Sequence, residues 1–89
     1  MRFEWDPAKD AATLAERGFS FVAVLDAFTD PKRRISQDTR RHYGERRFNM
    51  IAQSKGRIFH VTFTYRGETI RIISARRANR REERRYAQG

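Results

Sequence analysis

The stretch Arg57-Ile58-Phe59-His60-Val61-Thr62-Phe63-Thr64-Tyr65, then Arg66-Gly67, then Glu68-Thr69-Ile70-Arg71-Ile72-Ile73-Ser74-Ala75 reads as two strands joined by a tight turn. Phe59, Val61 and Phe63 alternate with His60, Thr62 and Thr64, which is the period-two pattern of a sheet with one buried face. A two-residue loop at Arg66-Gly67 sets Phe63 opposite Ile70 and Val61 opposite Ile72. Upstream, Arg46–Gln53 forms another strand, and a four-residue link at Ser54–Arg57 containing Gly56 sets Met50 opposite Val61 and Phe48 opposite Phe63. Arg33–Gln37 is a further strand, and links this short predict an antiparallel meander. One face then collects Phe48, Met50, Phe59, Val61, Phe63, Ile70 and Ile72. The other collects Arg47, Asn49, Ile51, His60, Thr62, Thr64, Thr69, Arg71 and Ile73. A slip of one residue would bury two arginines and expose three phenylalanines, so the pattern selects this register.

The apolar face needs a cover, and the N-terminal third supplies it. After a short strand at Arg2–Trp5, Asp6-Pro7 opens a helix, with Asp as N-cap and Pro where its missing N–H costs nothing. That helix ends near Arg17 at Gly18. Ser20 is placed to cap a second helix with Phe21, Val24, Leu25 and Phe28 on one stripe, ended by Asp30-Pro31. At the other end Asn79-Arg80-Arg81-Glu82 fits a capping box, with Asn in place of Ser or Thr, and starts a closing helix. The order is β-α-α-β-β-β-β-α. The fold class is α+β: a small antiparallel sheet of about four to five strands, two N-terminal helices packed on one face and a C-terminal helix. Residues 1–89 are read as a single domain.

Twenty Lys and Arg against eleven Asp and Glu give a formal net charge of +9. Residues 1–30 carry −3, while 31–56 and 57–89 carry +6 each, so a polyanion should meet the second two-thirds of the chain. Scattered surface charge that only keeps a small domain soluble is the plain alternative. Without cysteine there is neither a disulfide framework nor a thiolate metal site, and two histidines alone do not make a zinc site. No metal or other cofactor is expected. The longest apolar stretch, Phe19–Phe28, is too short and too interrupted to span a membrane, and the start lacks the apolar run of a signal peptide. A cytoplasmic protein with no membrane association is the expectation.

Phe3-Glu4-Trp5-Asp6 with Lys9, Gly18 and Ser20-Phe21, Phe28 with Asp30-Pro31, and Glu45-Arg46 together resemble the BrnT family of toxins. So does the ending Arg71-Ile72-Ile73-Ser74-Ala75-Arg76-Arg77-Ala78, followed by Glu82 and Tyr86. The resemblance covers nearly the whole chain. It implies a RelE-like ribonuclease toxin of a type II toxin–antitoxin pair, which cuts RNA, arrests translation and is neutralised by a cognate antitoxin. It also implies that operator DNA is reached only through that antitoxin. Thr13, Glu16-Arg17-Gly18 and Ala52 depart from the family pattern, which has Asn, Lys-His-Gly and Gly at these places.

RNA carries its own nucleophile, the 2′-OH, so cleaving it requires a base, cations for the phosphate and an acid, but no metal. Arginine suits the cation role, since its fork grips two phosphate oxygens and keeps its charge. Arg71, mid-strand on the open face near Thr62 and diagonal to His60, is the leading phosphate clamp, with mere positioning of RNA as its alternative. Arg46 and Arg76 belong to the family pattern, but the straight register puts both on the core-facing side at strand ends, and Arg46 can instead pair with Glu45 or Glu82. His60 is the mid-strand titratable group, as base, acid or structural histidine; His42 sits in the polar loop Asp38–Gly44; Glu45 is another base. Arg47, Asn49, Thr62, Arg77, Arg80 and Tyr86 are expected to bind RNA, with Tyr86 also suited to packing the closing helix. Two other classes remain: a non-catalytic RNA- or DNA-binding module, and a subunit whose basic groove receives the antitoxin. The nuclease reading requires an open face whose arginines are not neutralised by the chain's own carboxylates.

Overall fold

The computed structural model describes residues 1–42 and 44–88. The chain runs β1 (Arg2–Trp5), α1 (Pro7–Arg17), a 3₁₀ segment (Phe21–Thr29), β2 (Arg34–Asp38), β3 (Arg47–Ser54), β4 (Arg57–Arg66), β5 (Thr69–Arg77) and α2 (Arg80–Gln88). Five strands form one sheet in the order β1-β5-β4-β3-β2. β2 to β5 are the antiparallel meander that the short links demand. The sheet as a whole is mixed rather than antiparallel, because β1 lies parallel to β5, with Glu4 opposite Arg71. Nothing local in the sequence signals that pairing, since its partners are 67 residues apart.

The β3–β4 register is the expected one, Met50 opposite Val61 and Phe48 opposite Phe63. Its turn has positive φ at both Lys55 and Gly56, the mirror-image geometry whose twist matches the strands. The β4–β5 register is two residues from the expected one: Phe63 faces Ile72 and Tyr65 faces Ile70. The turn residues are Gly67-Glu68 rather than Arg66-Gly67, with Gly67 taking positive φ at the first turn position. A shift of two keeps every side chain on its face. Farther along, a bulge between Thr62 and Phe63 on β4 and Ile72 and Ser74 on β5 leaves Ile73 as the extra residue. One extra residue inverts the alternation beyond it. Arg76 therefore faces His60 on the outer side, not Phe59 on the core side.

The core lies between the sheet and the 3₁₀ segment. Phe21, Val24 and Ala27 interlock with Met50, Ala52, Val61 and Phe63, all fully buried. Phe28 bridges Phe3 at 5.0 Å and Phe63 at 5.1 Å, and burying each such ring contributes roughly 2 kcal/mol. This segment, with Phe19 just before it at 5.0 Å from Phe59, roofs the apolar face. α1 supplies no side chain to the core, its Leu14 is exposed and Thr13 is its buried residue. Asp6 and Gly18 close α1 as its sequence requires, Asp6 accepting from Ala8 N–H and Gly18 donating to the Leu14 carbonyl. Ser20 makes no side-chain cap; instead Asp10 reaches from α1 to accept the Phe21 N–H at 2.7 Å.

α2 lies on the opposite side of the sheet. Its capping box is formed in both directions, Glu82 N–H to Asn79 Oδ1 at 2.8 Å and Asn79 N–H to Glu82 Oε1 at 3.0 Å. Tyr86 is buried and its hydroxyl donates to Asp30 Oδ2 at 2.7 Å, an oxygen that also accepts the Gln53 N–H. Burial raises the Asp30 carboxyl, but its hydrogen bonds from Gln53, Tyr86 and Lys32 outweigh that and hold it below the usual range. Tyr86→Phe should cost about 1.5 kcal/mol, the lower end for a hydrogen bond to a charged group. Denaturant unfolding of the two proteins measures the difference, and an unchanged midpoint would mean the bond does not hold α2.

Candidate functional site

On the outer side, α2 covers one end of β3 and β4 and leaves the rest open. Ile51 is buried there, while His60, Asn49 and Thr62 remain half-buried around a cavity of about 370 Å³. Its walls come from four places: Asn49 of β3, His60 and Thr62 of β4, Ser74 and Arg76 of β5, and Glu82 of α2, with Arg17 and Arg40 at the margin. Arg17 arrives from the last turn of α1, where its guanidinium donates to the Ala75 carbonyl at 2.8 Å, beyond the point where β1 stops pairing with β5. Arg40 arrives from the loop after β2, held by the buried Asp38 through two side-chain bonds of 3.0 and 2.9 Å. Thr62 donates to Asn49 Oδ1 at 2.9 Å, which fixes the floor.

The centre of the site is a three-residue unit. Arg76 grips Glu82 with two bonds, Nη1 to Oε1 at 2.8 Å and Nη2 to Oε2 at 2.9 Å, and His60 Nε2 stands 4.0 Å from Glu82 Oε2. The Arg76 fork, with the Asn79 N–H behind it, lowers the Glu82 carboxyl to about 2. In return the carboxylate raises the Arg76 guanidinium. His60 is pushed below its ordinary value chiefly by burial and then by the charge of Arg76, which together outweigh the opposing pull of Glu82. At neutral pH its ring is a free base beside a fixed cation.

The other expected site residues lie elsewhere. Arg71 is on the outer face, but opposite Thr64 rather than beside His60, and it pairs with Glu4 of β1 at 2.7 Å. Arg46 is in the loop before β3, where its carbonyl accepts the Thr64 hydroxyl. Glu45 lies 3.5 Å from Arg47, which opens β3 opposite Asp38. His42, Glu45 and Arg46 line a separate hollow of about 480 Å³ with Asp38 and Arg41. Arg77 and Arg80 are exposed, Arg77 one position past Arg76 and so turned from the cavity. Tyr86 is buried, with its hydroxyl on Asp30, which leaves little of its ring open to a base. The requirement of unpaired arginines is thus only partly met, since Arg40, Arg47, Arg71 and Arg76 each have a carboxylate partner. Arg40 and Ser74 were not anticipated, Arg17 was not placed in the site, and Glu82 was expected to pair with Arg46 if with any arginine, not with Arg76. Arg17 did carry a signal, being the charged residue just before the glycine that ends α1.

Residues 5–82 match the family described as ribonuclease toxin, BrnT, of type II toxin–antitoxin systems. The chain belongs to this family. No curated protein matches it significantly. Membership of the BrnT family makes RNA the target and an antitoxin protein the partner. Among the described residues no group of three or more His, Cys, Asp or Glu is placed to hold a metal ion, and no helix is long and apolar enough to cross a membrane.

Glu82 carries a stability prediction. Its folded pKa of about 2 lies below the ordinary 4.5, so its contribution is complete above about pH 4.5 and is lost as pH falls towards 2. Glu82→Gln keeps the capping-box acceptor but removes the charge. The stability difference between the two proteins should therefore shrink as pH is lowered through that window. A difference independent of pH would show that the ion pair does not stabilise the fold.

Proposed function

We propose that the chain is a metal-independent endoribonuclease toxin, a single RelE-like domain over residues 1–89, that acts in the cytoplasm and arrests translation until its antitoxin binds. In this reading operator DNA is contacted only through the antitoxin. The observation that carries it is the placement of His60, half-buried in a cavity lined by Arg17, Arg40 and Arg76, where burial and the charge of Arg76 favour the neutral imidazole. Neutral His60 takes the proton of a 2′-OH. The 2′ oxygen attacks phosphorus, the P–O5′ bond breaks, and the products are a 2′,3′-cyclic phosphate and a 5′-OH end.

Arg17, Arg40 and Arg76 stabilise the charge that builds on the phosphate. Arg76 can do so while paired, since its Nε–H and one Nη2 hydrogen have no protein acceptor among the described residues. The carboxyl of Glu82 is too acidic to donate a proton at neutral pH. The leaving oxygen therefore takes its proton from water or from the imidazolium just formed. Asn49 and Thr62 contact the RNA from the floor. Arg47, Arg77 and Arg80 lie outside the cavity, where they steer the rest of the strand. Arg71, and with it Arg46 and Glu45, act outside this cavity if they act on RNA at all.

A second reading, RNA binding without cleavage, is favoured by the carboxylate partners of Arg40, Arg47, Arg71 and Arg76. The two separate in one experiment. Purified chain incubated with RNA in EDTA should cleave it and leave cyclic phosphate ends. His60→Ala should reduce the rate about 10²–10⁴-fold, the usual worth of a general base. The rate should rise with pH below 6.5 and level off by pH 7. Arg71→Ala should loosen β1 rather than abolish cleavage. Tight, salt-sensitive binding with no cleavage in either protein would support the second reading, and cleavage that needs added magnesium would overturn metal independence.

A further inference from the structure

The core-bearing face of the sheet is not wholly roofed. The 3₁₀ segment ends at Thr29, and past Phe28 the apolar surface continues into solvent. Ile35 lies opposite Met50 and Tyr65 opposite Ile70, so both belong to that face, yet they are 44% and 54% exposed. Met1 beside them is also exposed. With Phe28 and Ile70 they line a depression of about 320 Å³. Tyr65 packs edge-on against Phe48 at 5.5 Å and Phe63 at 5.6 Å, so the patch is an outcrop of the core rather than a stray surface ring. Contiguous patches of this kind mark contact sites, whereas single exposed apolar residues do not.

The surroundings choose among occupants. Exposed Arg33 lines the depression and exposed Arg66 flanks Gly67, with Glu68 as the one carboxylate of the lining. A second copy would bring a basic rim to a basic rim on a chain of charge +9. RNA could reach the rim arginines, but the floor of Met1, Phe28, Ile35 and Ile70 holds no cation for a phosphate. A protein segment with an apolar stripe and flanking carboxylates satisfies both floor and rim. The depression crosses from β2 to β5, three strand spacings or roughly 14 Å. Two to three helical turns of about 5.4 Å cover that distance, with anchors at i, i+3 or i+4, and i+7.

We infer that the corner formed by Met1, Ile35, Tyr65 and Ile70 is the anchor for the antitoxin, which inserts an acidic amphipathic helix there. The inference rests on the family reading that an antitoxin exists. It adds that the antitoxin's anchor and the His60 cavity are on opposite sides of the sheet and can be separated by mutation.

The test co-expresses the chain with the product of the reading frame adjacent to its gene, then measures affinity, growth rescue and RNA cleavage. Ile35→Asp and Tyr65→Ala should each weaken the complex about 30-fold or more, as central anchors do, and Tyr65→Ala, away from the hollow that Ile35 shares with His60, should leave cleavage within about twofold of the parent. Arg33→Glu, which leaves the core untouched, should weaken it too and covers the case in which the apolar variants fold poorly. Variants that bind like the parent would overturn the anchor alone. A parent chain that neither binds the neighbour's product nor is rescued by it would overturn the antitoxin reading and the anchor with it. Self-association of the parent that is lost in Tyr65→Ala would assign the corner to a second copy instead.

Discussion

The two-bond grip of Arg76 on Glu82 holds this molecule's functional side together. One carboxylate closes the first turn of α2, fixes a strand arginine and stands next to His60. The helix that covers part of the outer face and the site that face contains therefore share a single group. An exposed ion pair contributes little, but here the carboxylate is largely buried and both its oxygens are used. Its effect is geometric as much as energetic: the guanidinium plane is set, and the remaining N–H groups are left for a ligand.

That grip depends on an irregularity in the strand. Had β4 and β5 stayed in straight register beyond Phe63 and Ile72, Arg76 would stand opposite Phe59, the place that exposed Arg77 now takes, and away from His60 and Glu82. The bulge at Ile73 turns it outward opposite His60. Bulges often re-aim a side chain next to a functional site, and here Arg76 gains its place that way. The same step ends the regular run of Ile70 and Ile72 on the core side and lets the small Ala75 close the core.

Much of the fold was legible because its signals are local. The Asp6-Pro7 start, the Gly18 stop, the Asn79–Glu82 capping box and the Phe48–Met50 register with β4 all follow from residues close together in the chain or from a turn of fixed length. What the sequence left hidden is non-local. The parallel pairing of β1, the 3₁₀ rather than α-helical path of Phe21–Thr29, and the docking of Tyr86 on Asp30 depend on distant partners. The site was half legible for the same reason. His60, Asn49 and Thr62 follow from strand alternation, whereas the outward turn of Arg76 needs the bulge and the arrival of Arg17 and Arg40 needs the assembled edges. Arg71 had the right face and the wrong neighbours, because a turn displaced by one residue carries it along the sheet to Glu4.

The molecule thus presents two unlike sides, a cationic cavity around a neutral histidine and an apolar corner that the core leaves bare. The most direct test of the first is an NMR titration of the His60 ring in the parent and in Glu82→Gln. The account predicts a pKa below 6.5 in the parent and a still lower one in the variant, because the charge that opposes burial and Arg76 is gone. An ordinary value in the parent, or one that does not respond to Glu82→Gln, would contradict it.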